Sequence, residues 1–478
     1  MDVEKLKKNL LKKSVSGVKW SFAETILAQF LRLAIGIVLA RLLTPADYGL
    51  ISIAVIFFTI SDVFITSGLG QAFIQKKDAD ETDAHTIFSS NFLVSVLFYL
   101  LLWFGSPWIA SFFDQPELTL LIRVMAVIVI INSFNVIQFA IIRKNLQFKK
   151  KTLYSTISYS VSGVTGILCA FNGLGVWSLV IQQVLNKLLL SILLFKASPY
   201  TMKFSFSYDA FKPLFAFGSW LLLTNIVMRA FDQLYKFVIG KYYTSDALGL
   251  FEKGQQFPKL IYQQLSWTVG TVAFPVYSKL QDDKEEMNNA VNRFLKYSLI
   301  LNLPLLGILF VVSESFVLVL LTQKWAGIIP FLKLFCIIGI FFPFYSYMLQ
   351  FLEANGRTKL VFSITILMVI SRILNVWINL DKGIIHIITG ELIIVILTAL
   401  LTLVITNRIT GLSVVNLVRN IYWIYFSSAV MVLTGTLFYR TIEPEKLSAL
   451  LITTMIMMLV YSTLMYKEGK KIIVALIK

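Results

Sequence analysis

The chain has 478 residues, of which 57% are hydrophobic and only 14% are charged, and its mean hydropathy is +0.77. This composition is far more apolar than a soluble globular protein of this length needs, so it excludes a soluble fold and predicts an all-α polytopic membrane protein. The net charge of +17 comes from basic residues spread over many short loops, a distribution that argues against nucleic-acid binding.

Apolar runs of about 20 residues, the length that crosses a hydrocarbon core, recur along the whole chain and predict about fourteen transmembrane helices. They lie near 18–40, 47–72, 86–111, 119–142, 154–172, 174–196, 214–240, 247–275, 292–313, 327–352, 360–380, 384–406, 420–440 and 447–466. The segments between them are short, which excludes a large extramembrane catalytic domain. We interpret the first run as an uncleaved helix, because it is too long for a signal peptide and lacks a small-residue cleavage site.

Basic residues are distributed unequally between the two sides of this predicted topology. With the amino terminus placed in the cytoplasm, the inside segments hold about 26 Lys and Arg and the outside segments about 6. Basic clusters at 143–151 and 467–471 both fall inside. The positive-inside rule therefore predicts that both termini lie in the cytoplasm.

A ten-residue string suggests an internal duplication. RLLTPADYGL at 41–50 returns as KYYTSDALGL at 241–250, so that Thr44, Gly49 and Leu50 recur after two hundred positions. Six predicted helices separate the copies, and an even number gives both copies the same orientation. This predicts two parallel six-helix repeats around a central cavity, followed by two C-terminal helices. The predicted divisions are 1–200, 201–410 and 411–478.

A polar stripe runs along one face of the seventh predicted helix. It consists of Asn225, Arg229, Asp232 and Lys236, which are spaced by four, three and four residues. The two-hundred-residue offset places Arg32 on a matching stripe of the first helix. Ionisable side chains are costly in the hydrocarbon region, so we expect both stripes to face the shared cavity.

Further polar residues in the predicted membrane region suit an anionic, sugar-bearing ligand. Gln256, Lys259 and Gln263 share one face of the eighth predicted helix, and Arg372 lies in the eleventh. Glutamine can hydrogen-bond hydroxyl groups as donor and acceptor, and the arginine fork matches phosphate. Basic groups outnumber acidic ones near mid-depth, which favours an anionic ligand.

Three carboxylates in the predicted membrane region, Asp62, Asp232 and Glu24, are candidates for ion coupling, because a carboxylate near mid-depth can exchange a proton. Structural pairing of Arg229 with Asp232 and of Glu24 with Arg32 explains the same residues and stays open. No catalytic residue, cofactor or metal site is predicted. The cysteines Cys169 and Cys336 fall in apolar runs, and the two histidines are far apart in sequence.

Several strings resemble the Wzx-type polysaccharide and O-antigen flippases, in the WzxC-like branch of the multidrug/oligosaccharidyl-lipid/polysaccharide exporter superfamily. They are LARLLTPADYGL (39–50), SGLGQAFIQ (67–75), IRKNLQFKKKT (142–152), GLGVWSLVIQQV (173–184), FDQLYKFVIGKYYTSDALGLFEKGQQ (231–256), KWAGIIPFLKLF (324–335) and EANGRTKL (353–360). The likeness covers nearly the whole chain, and it depends on the order and spacing of these strings.

The resemblance implies a flippase of the bacterial inner membrane that moves undecaprenyl-diphosphate-linked repeat units to the periplasmic leaflet by alternating access. It implies membrane lipids as surroundings, and a polysaccharide polymerase and export machinery as further partners. Basic residues of the family's central cavity are expected to meet the diphosphate and sugar. By matching position these residues are Arg32, Arg229, Lys259 and Arg372.

Three alternatives remain open at this point. A drug or cation exporter of the same superfamily predicts an acidic and aromatic cavity, whereas this one is expected to be basic. A peptidoglycan-precursor flippase would use the same lipid carrier. A membrane-embedded glycosyltransferase or polysaccharide polymerase usually needs a long extramembrane loop with catalytic residues, and no such loop is visible.

Overall fold

The computed structural model describes residues 29–66, 68–76, 78–144, 148–197, 200, 203–280, 283–442 and 446–477. Within these residues every regular element is a helix and no strand is present. The chain forms two compact units, Met1–Gly249 and Leu250–Lys478. The prediction of an all-α fold is confirmed, whereas the predicted divisions at 200 and 410 stay predictions.

The first unit is built from long helices joined by short turns. It contains α1 (29–42), α2 (Pro45–Thr66), α3 (Leu69–Gln75), α4 (Glu81–Phe112), α5 (Leu118–Lys144), α6 (Phe148–Phe171), α7 (Val176–Ala197), α8 (Tyr208–Asp232), α9 (Leu234–Tyr242) and the first residues of α10 (Ser245–Lys279). Helix α5 packs against α2, α4 and α7 and forms the centre of the unit. Gly173 and Gly175 make the tight turn before α7 with φ angles of 76° and 52°, which a residue with a Cβ rarely adopts.

The duplicated string has a local structural role in both of its copies. At the start of α2 the backbone N–H of Asp47 donates to the Thr44 hydroxyl at 3.3 Å, and the Thr44 hydroxyl and backbone N–H donate in return to the Asp47 carboxylate at 2.7 and 2.8 Å. In the second copy, the backbone N–H of Ala247 donates to the Thr244 hydroxyl at 3.2 Å at the start of α10. The recurring threonine therefore serves as a helix cap in both places.

The recurring glycine allows the two copies to touch. A Cβ on Gly49 would overlap the carbonyl of Ser245, and a Cβ on Gly249 would overlap the carbonyl of Pro45. Because Pro45 corresponds to Ser245 at the same offset, the contact is reciprocal, as expected for copies related by a local two-fold axis. Close backbone approach explains why glycine stands at both positions.

The second unit continues with a further set of long helices. It contains most of α10, then α11 (Lys284–Val311), the single turn α12 (Ser313–Ser315), an irregular helical stretch (316–328), α13 (Ile329–Ala354), α14 (Thr358–Asn379), α15 (Ile384–Thr410), α16 (Val414–Tyr439) and α17 (Leu447–Ile477). Its core includes Tyr277, Leu295, Tyr347 and Phe351, all essentially inaccessible to solvent. The last two helices pack against each other, and both contact α11.

Ten helical spans within the described residues are long and apolar enough to cross a membrane. They are Pro45–Gln75, Glu81–Phe112, Leu118–Ile142, Val176–Lys196, Glu285–Val311, Gln323–Ala354, Thr358–Lys382, Ile384–Thr410, Val414–Tyr439 and Leu447–Tyr466. The polytopic membrane fold is confirmed, but the count of fourteen is not. The remaining four predicted spans overlap α1, α6, α8 with α9, and α10, and only residues 29–40 of the first of them are described.

Candidate substrate cavity

A polar cavity of about 770 Å³ lies within the first unit, among α2, α5, α6, α7 and α8. Its lining is rich in hydrogen-bonding side chains: Thr59, Asp62, Thr66, Gln71, Asn132, Tyr159, Gln182, Gln183, Asn186, Lys187, Asn225 and Arg229. It adjoins a smaller pocket of about 200 Å³ that shares Asp62, Asn132 and Lys187. So polar a lining in a membrane-spanning unit makes this cavity a candidate ligand site.

Helical spacing explains why these side chains converge. On α2, Thr59, Asp62 and Thr66 are three and four residues apart and share one face. On α7, Gln182 and Asn186 are spaced by four residues, and Gln183 and Lys187 repeat that spacing one residue later. Each helix therefore turns one polar strip toward the cavity and keeps its apolar residues for packing and lipid.

The charges of the lining are two cations and one carboxylate. Lys187 and Arg229 contribute the positive charges, and Asp62 contributes the negative one. The Asn132 amide donates a hydrogen bond to the Asp62 carboxylate at 2.7 Å. The lining thus has one net positive charge, and the excess of basic groups near mid-depth that the sequence indicates stays a prediction.

Two of the predicted residues of the first unit line this cavity, and others lie beside it. Asp62 and Arg229 are part of the lining, whereas Arg32 lies over the ring of Tyr159 at 5.7 Å, which is itself a lining residue. Arg229 and Asp232 approach to 4.0 Å, with 58% and 53% of their side chains exposed, so this ion pair is weak. Glu24 lies outside the described residues.

The predicted residues of the second unit are separate from this cavity lining. Gln256 and Gln263 are exposed on α10, and Lys259 between them is half-buried. Arg372 on α14 makes a forked ion pair with Glu391 on α15, at 2.6 Å from Nη2 and 3.1 to 3.2 Å from Nε. From the sequence, Arg372 counts as surplus positive charge, but Glu391 neutralises it here. A role for these four residues in substrate binding stays a prediction.

Sequence analysis did not predict several residues that line the cavity. The main ones are Lys187, Asn132 and Tyr159. The string IQQVLNK at 181–187 carries a usable signal, since its polar residues repeat at an interval of four within an apolar helix. Asn132 has a weaker signal, because its partner Asp62 lies seventy positions away and only the fold brings them together.

Comparison with known proteins identifies a family that matches this chain. Residues 38–330 match a family described as polysaccharide biosynthesis protein. The chain is 24% identical over 364 residues to the lipopolysaccharide biosynthesis protein WzxC of Escherichia coli (strain K12), covering 75% of this chain and 73% of that protein. It is also 24% identical over 326 residues to the succinoglycan biosynthesis transport protein ExoT of Rhizobium meliloti (strain 1021), covering 68% and 66%.

The fold is also that of a solved transporter. The structure of the lipid II flippase MurJ in an inward closed conformation superposes with a TM-score of 0.76 at 17% identity, covering 95% of this chain and 100% of that one. The family match and these likenesses confirm the resemblance inferred from the sequence and the prediction of a transporter rather than an enzyme. The chain therefore belongs to the polysaccharide biosynthesis protein family, whose model matches well over half of it.

Proposed function

We propose that this protein is a flippase for undecaprenyl-diphosphate-linked oligosaccharide repeat units in the bacterial inner membrane, with both termini in the cytoplasm. The observation that carries the proposal is the cavity of the first unit, where Lys187 and Arg229 face a lining of amides inside a membrane-spanning fold. The family match to polysaccharide biosynthesis proteins supports the same substrate class. In the cell, a polysaccharide polymerase and export machinery would receive the product.

The chemistry of the lining suits the two parts of such a substrate. The Arg229 guanidinium can hold two diphosphate oxygens with its fork, while Lys187 contributes a compact positive charge. Gln182, Gln183 and Asn186 offer both donors and acceptors to sugar hydroxyls. The polyprenyl chain of the carrier does not have to fit into this cavity, because it can stay in the hydrocarbon region of the bilayer.

Transport requires the site to open alternately to the two sides of the membrane. The cavity cations would bind the diphosphate in the cytoplasm-facing state and release it in the periplasm-facing state. A substrate can shift this equilibrium only by binding the two states differently. The chain must therefore contact the glycolipid differently before and after translocation, and the polar strips of α2, α7 and α8 are the elements that we propose change their contacts.

A peptidoglycan-precursor flippase is the second candidate, because the structure resembles that of a lipid II flippase. A cationic-drug exporter is disfavoured, since Lys187 and Arg229 would repel a cation. A glycosyltransferase or polymerase is disfavoured because the cavity gathers amides and cations around one carboxylate, without a second carboxylate to share acid and base roles.

Reconstituted flipping of a defined glycolipid tests the proposal. Purified protein in proteoliposomes should move a fluorescent undecaprenyl-diphosphate oligosaccharide between leaflets, and a variant with Lys187→Ala and Arg229→Ala should not. Complementation of strains that lack either the polysaccharide flippase or the peptidoglycan-precursor flippase distinguishes the two candidates. Rescue of only the second strain would replace the proposed substrate, and failure of flipping in folded, reconstituted protein would reject the activity.

A further inference from the structure

A second cavity of the first unit is apolar and lies beside α4 and α8. It measures about 660 Å³, and its walls are phenylalanine rings from the segment before α8 and from α8 itself. Phe204 and Phe206 come from the segment, and Phe211 and Phe215 from the helix. We call this cavity the phenylalanine groove.

The groove is a built structure with fixed walls. Ser89 on α4 accepts a hydrogen bond from the backbone N–H of Ser205 at 3.1 Å and donates one to the Ser205 carbonyl at 2.9 Å. The Ser207 N–H donates to the Thr86 hydroxyl at 3.1 Å. The rings of Phe211 and Phe215 stack at a centroid distance of 5.1 Å. These contacts fasten the segment before α8 to α4.

Several residues that line the groove are exposed. Leu93, Phe204 and Phe206 line it with 72%, 69% and 56% of their surface exposed. Its α4 residues, 89–94, lie about 12 to 20 Å along the helix from Glu81, at about 1.5 Å per residue. In the proposed orientation α4 and α8 both start at the cytoplasmic face, so the groove lies at the depth of the cytoplasmic leaflet.

Charge at the mouth of the groove narrows the class of ligand. Lys203 directly precedes the lining residue Phe204, and Lys212 directly follows the lining residue Phe211; both lysines are exposed. Asp209 is also exposed in this turn, which leaves one net positive charge. Exposed cations next to an apolar groove match a lipid with an anionic head.

The groove also leads toward the polar cavity. On α8, Leu222 belongs to the groove and Asn225 to the polar cavity, only three residues further on. On α2, Phe64 belongs to the groove and its neighbour Val63 to the polar cavity. A ligand moving along these two helices would pass from one site to the other.

We propose that the phenylalanine groove, with Lys203 and Lys212 at its mouth, is the loading site where the isoprenoid-phosphate end of the lipid carrier docks before its head enters the polar cavity. This inference rests on the proposed function, because it assumes that the substrate is carried by a polyprenyl lipid. Bilayer chains are as apolar as the groove, so transfer from water does not drive this binding. Retention comes from packing against rigid aromatic rings and from the headgroup held by the lysines.

Photo-crosslinking in nanodiscs tests the loading site without requiring transport. The full chain carries a benzophenone amino acid in place of Phe215, and the disc contains undecaprenyl phosphate and phosphatidylglycerol at equal mole fraction. The matched control position is Phe362 on α14, which is 67% exposed and lies at the cytoplasmic end of its helix in the proposed orientation. A second probe, placed at Leu93, tests the groove independently if the replacement of Phe215 prevents folding.

We expect carrier adducts at Phe215 and Leu93 to exceed phospholipid adducts about tenfold, because the held headgroup raises the effective concentration of the chain. Position Phe362 should show no such preference. The double variant Lys203→Ala, Lys212→Ala should lower the carrier adducts several-fold. Equal adducts at groove and control positions, preference for phospholipid, or no effect of the lysine variant would each overturn the loading site.

The outcome separates this inference from the proposed function. Carrier capture in the groove without flipping of the glycolipid would reject the flippase activity and leave a carrier-binding protein. Flipping without carrier capture would reject the loading site and leave the flippase. Undecaprenyl phosphate alone serves as the probe, so neither result depends on the sugar.

Discussion

Arg229 combines two features that a diphosphate site needs, a forked donor and a position in the polar cavity. Its ion pair with Asp232 is long, and both side chains are more than half exposed, so breaking this pair to bind a ligand costs little free energy. A charge-assisted hydrogen bond contributes about 1.5 to 3 kcal/mol. That range corresponds to roughly tenfold to hundredfold in affinity.

We therefore expect Arg229→Ala to weaken glycolipid binding by about tenfold to hundredfold and to abolish export, while Arg229→Lys restores part of it because charge returns without the fork. Binding to purified protein and polysaccharide export in cells are the two measurements. The exposed Arg419 on α16 supplies the control, and its replacement by Ala should change neither. Unchanged affinity in the Arg229→Ala variant would remove this residue from the site.

Arg372 makes a different kind of contact. Its fork is engaged by Glu391, and the two side chains are only 20% and 10% exposed. Removing one partner of such a pair leaves a charge without compensation and costs about 3 to 5 kcal/mol, whereas replacing both by apolar residues is often tolerated.

The pair predicts a pattern of stability rather than of binding. Arg372→Ala and Glu391→Ala should each lower the melting temperature in detergent, and the double variant Arg372→Met, Glu391→Leu should recover most of the loss. If Arg372 instead meets substrate, the double variant stays folded but loses glycolipid binding. Thermal unfolding and binding, measured on the same preparations, distinguish the two roles.

At the scale of elements, the duplicated string joins α2 and α10 through backbone contact. A Cβ on either Gly49 or Gly249 meets the carbonyl of the other copy, which no side-chain rotation can relieve. We expect Gly49→Ala and Gly249→Ala to destabilise the protein by about 1 to 3 kcal/mol each through overpacking. Gly36 is the control, because a Cβ added there would meet nothing within 4 Å, and Gly36→Ala should be neutral. Equal melting temperatures for all three variants would contradict the contact.

The sequence predicted the elements better than the site. Hydropathy located the helices because each must present about 20 apolar residues to lipid. The spacing of polar residues identified the stripe with Arg229, since helical periodicity is visible within one stretch of sequence. It did not reveal that Asn132 holds Asp62 or that Glu391 holds Arg372, because these partners lie on different helices. The set predicted from the sequence lacks Lys187, although the four-residue spacing of the polar residues in α7 is visible in the sequence.

At the scale of the whole molecule, contacts between loops bear on the sidedness of the first unit. Lys241 in the last turn of α9 pairs with Asp114, just after α4, at 3.0 Å, so these two helix ends share one side. Lys144 at the end of α5 donates to the carbonyl of Lys76 at 2.9 Å, which places the ends of α3 and α5 together. Both pairings agree with the alternation predicted from the basic residues.

This alternation predicts the result of a topology experiment. A reporter fused after Lys150 should register the cytoplasm, and one fused near Gln115 should register the periplasm, because the inside segments hold most of the Lys and Arg. Paired phosphatase and fluorescent-protein fusions give complementary signals and serve as controls for each other. The opposite pattern would reverse the orientation and would move the phenylalanine groove to the periplasmic leaflet.

Coupling of transport to a proton gradient stays a prediction for the whole molecule, and Asp62 is its first candidate because this carboxylate lines the polar cavity. Asp62 and Lys187 both line the cavity, so a substrate phosphate that engages Lys187 would weaken the attraction between this cation and the carboxylate. Asp232 is a weaker candidate, because its ion pair is exposed.

We expect Asp62→Asn to bind glycolipid but to lose the response of flipping to an imposed pH gradient, since the amide keeps the shape of the carboxylate and cannot exchange a proton. Asp232→Asn should retain both binding and the response. Flipping in proteoliposomes with and without the gradient measures this difference, and a binding assay confirms that each variant is folded. If Asp62→Asn binds substrate and still responds to the gradient, Asp62 is not the coupling group, and loss of the response in Asp232→Asn alone would transfer that role to the α8 stripe.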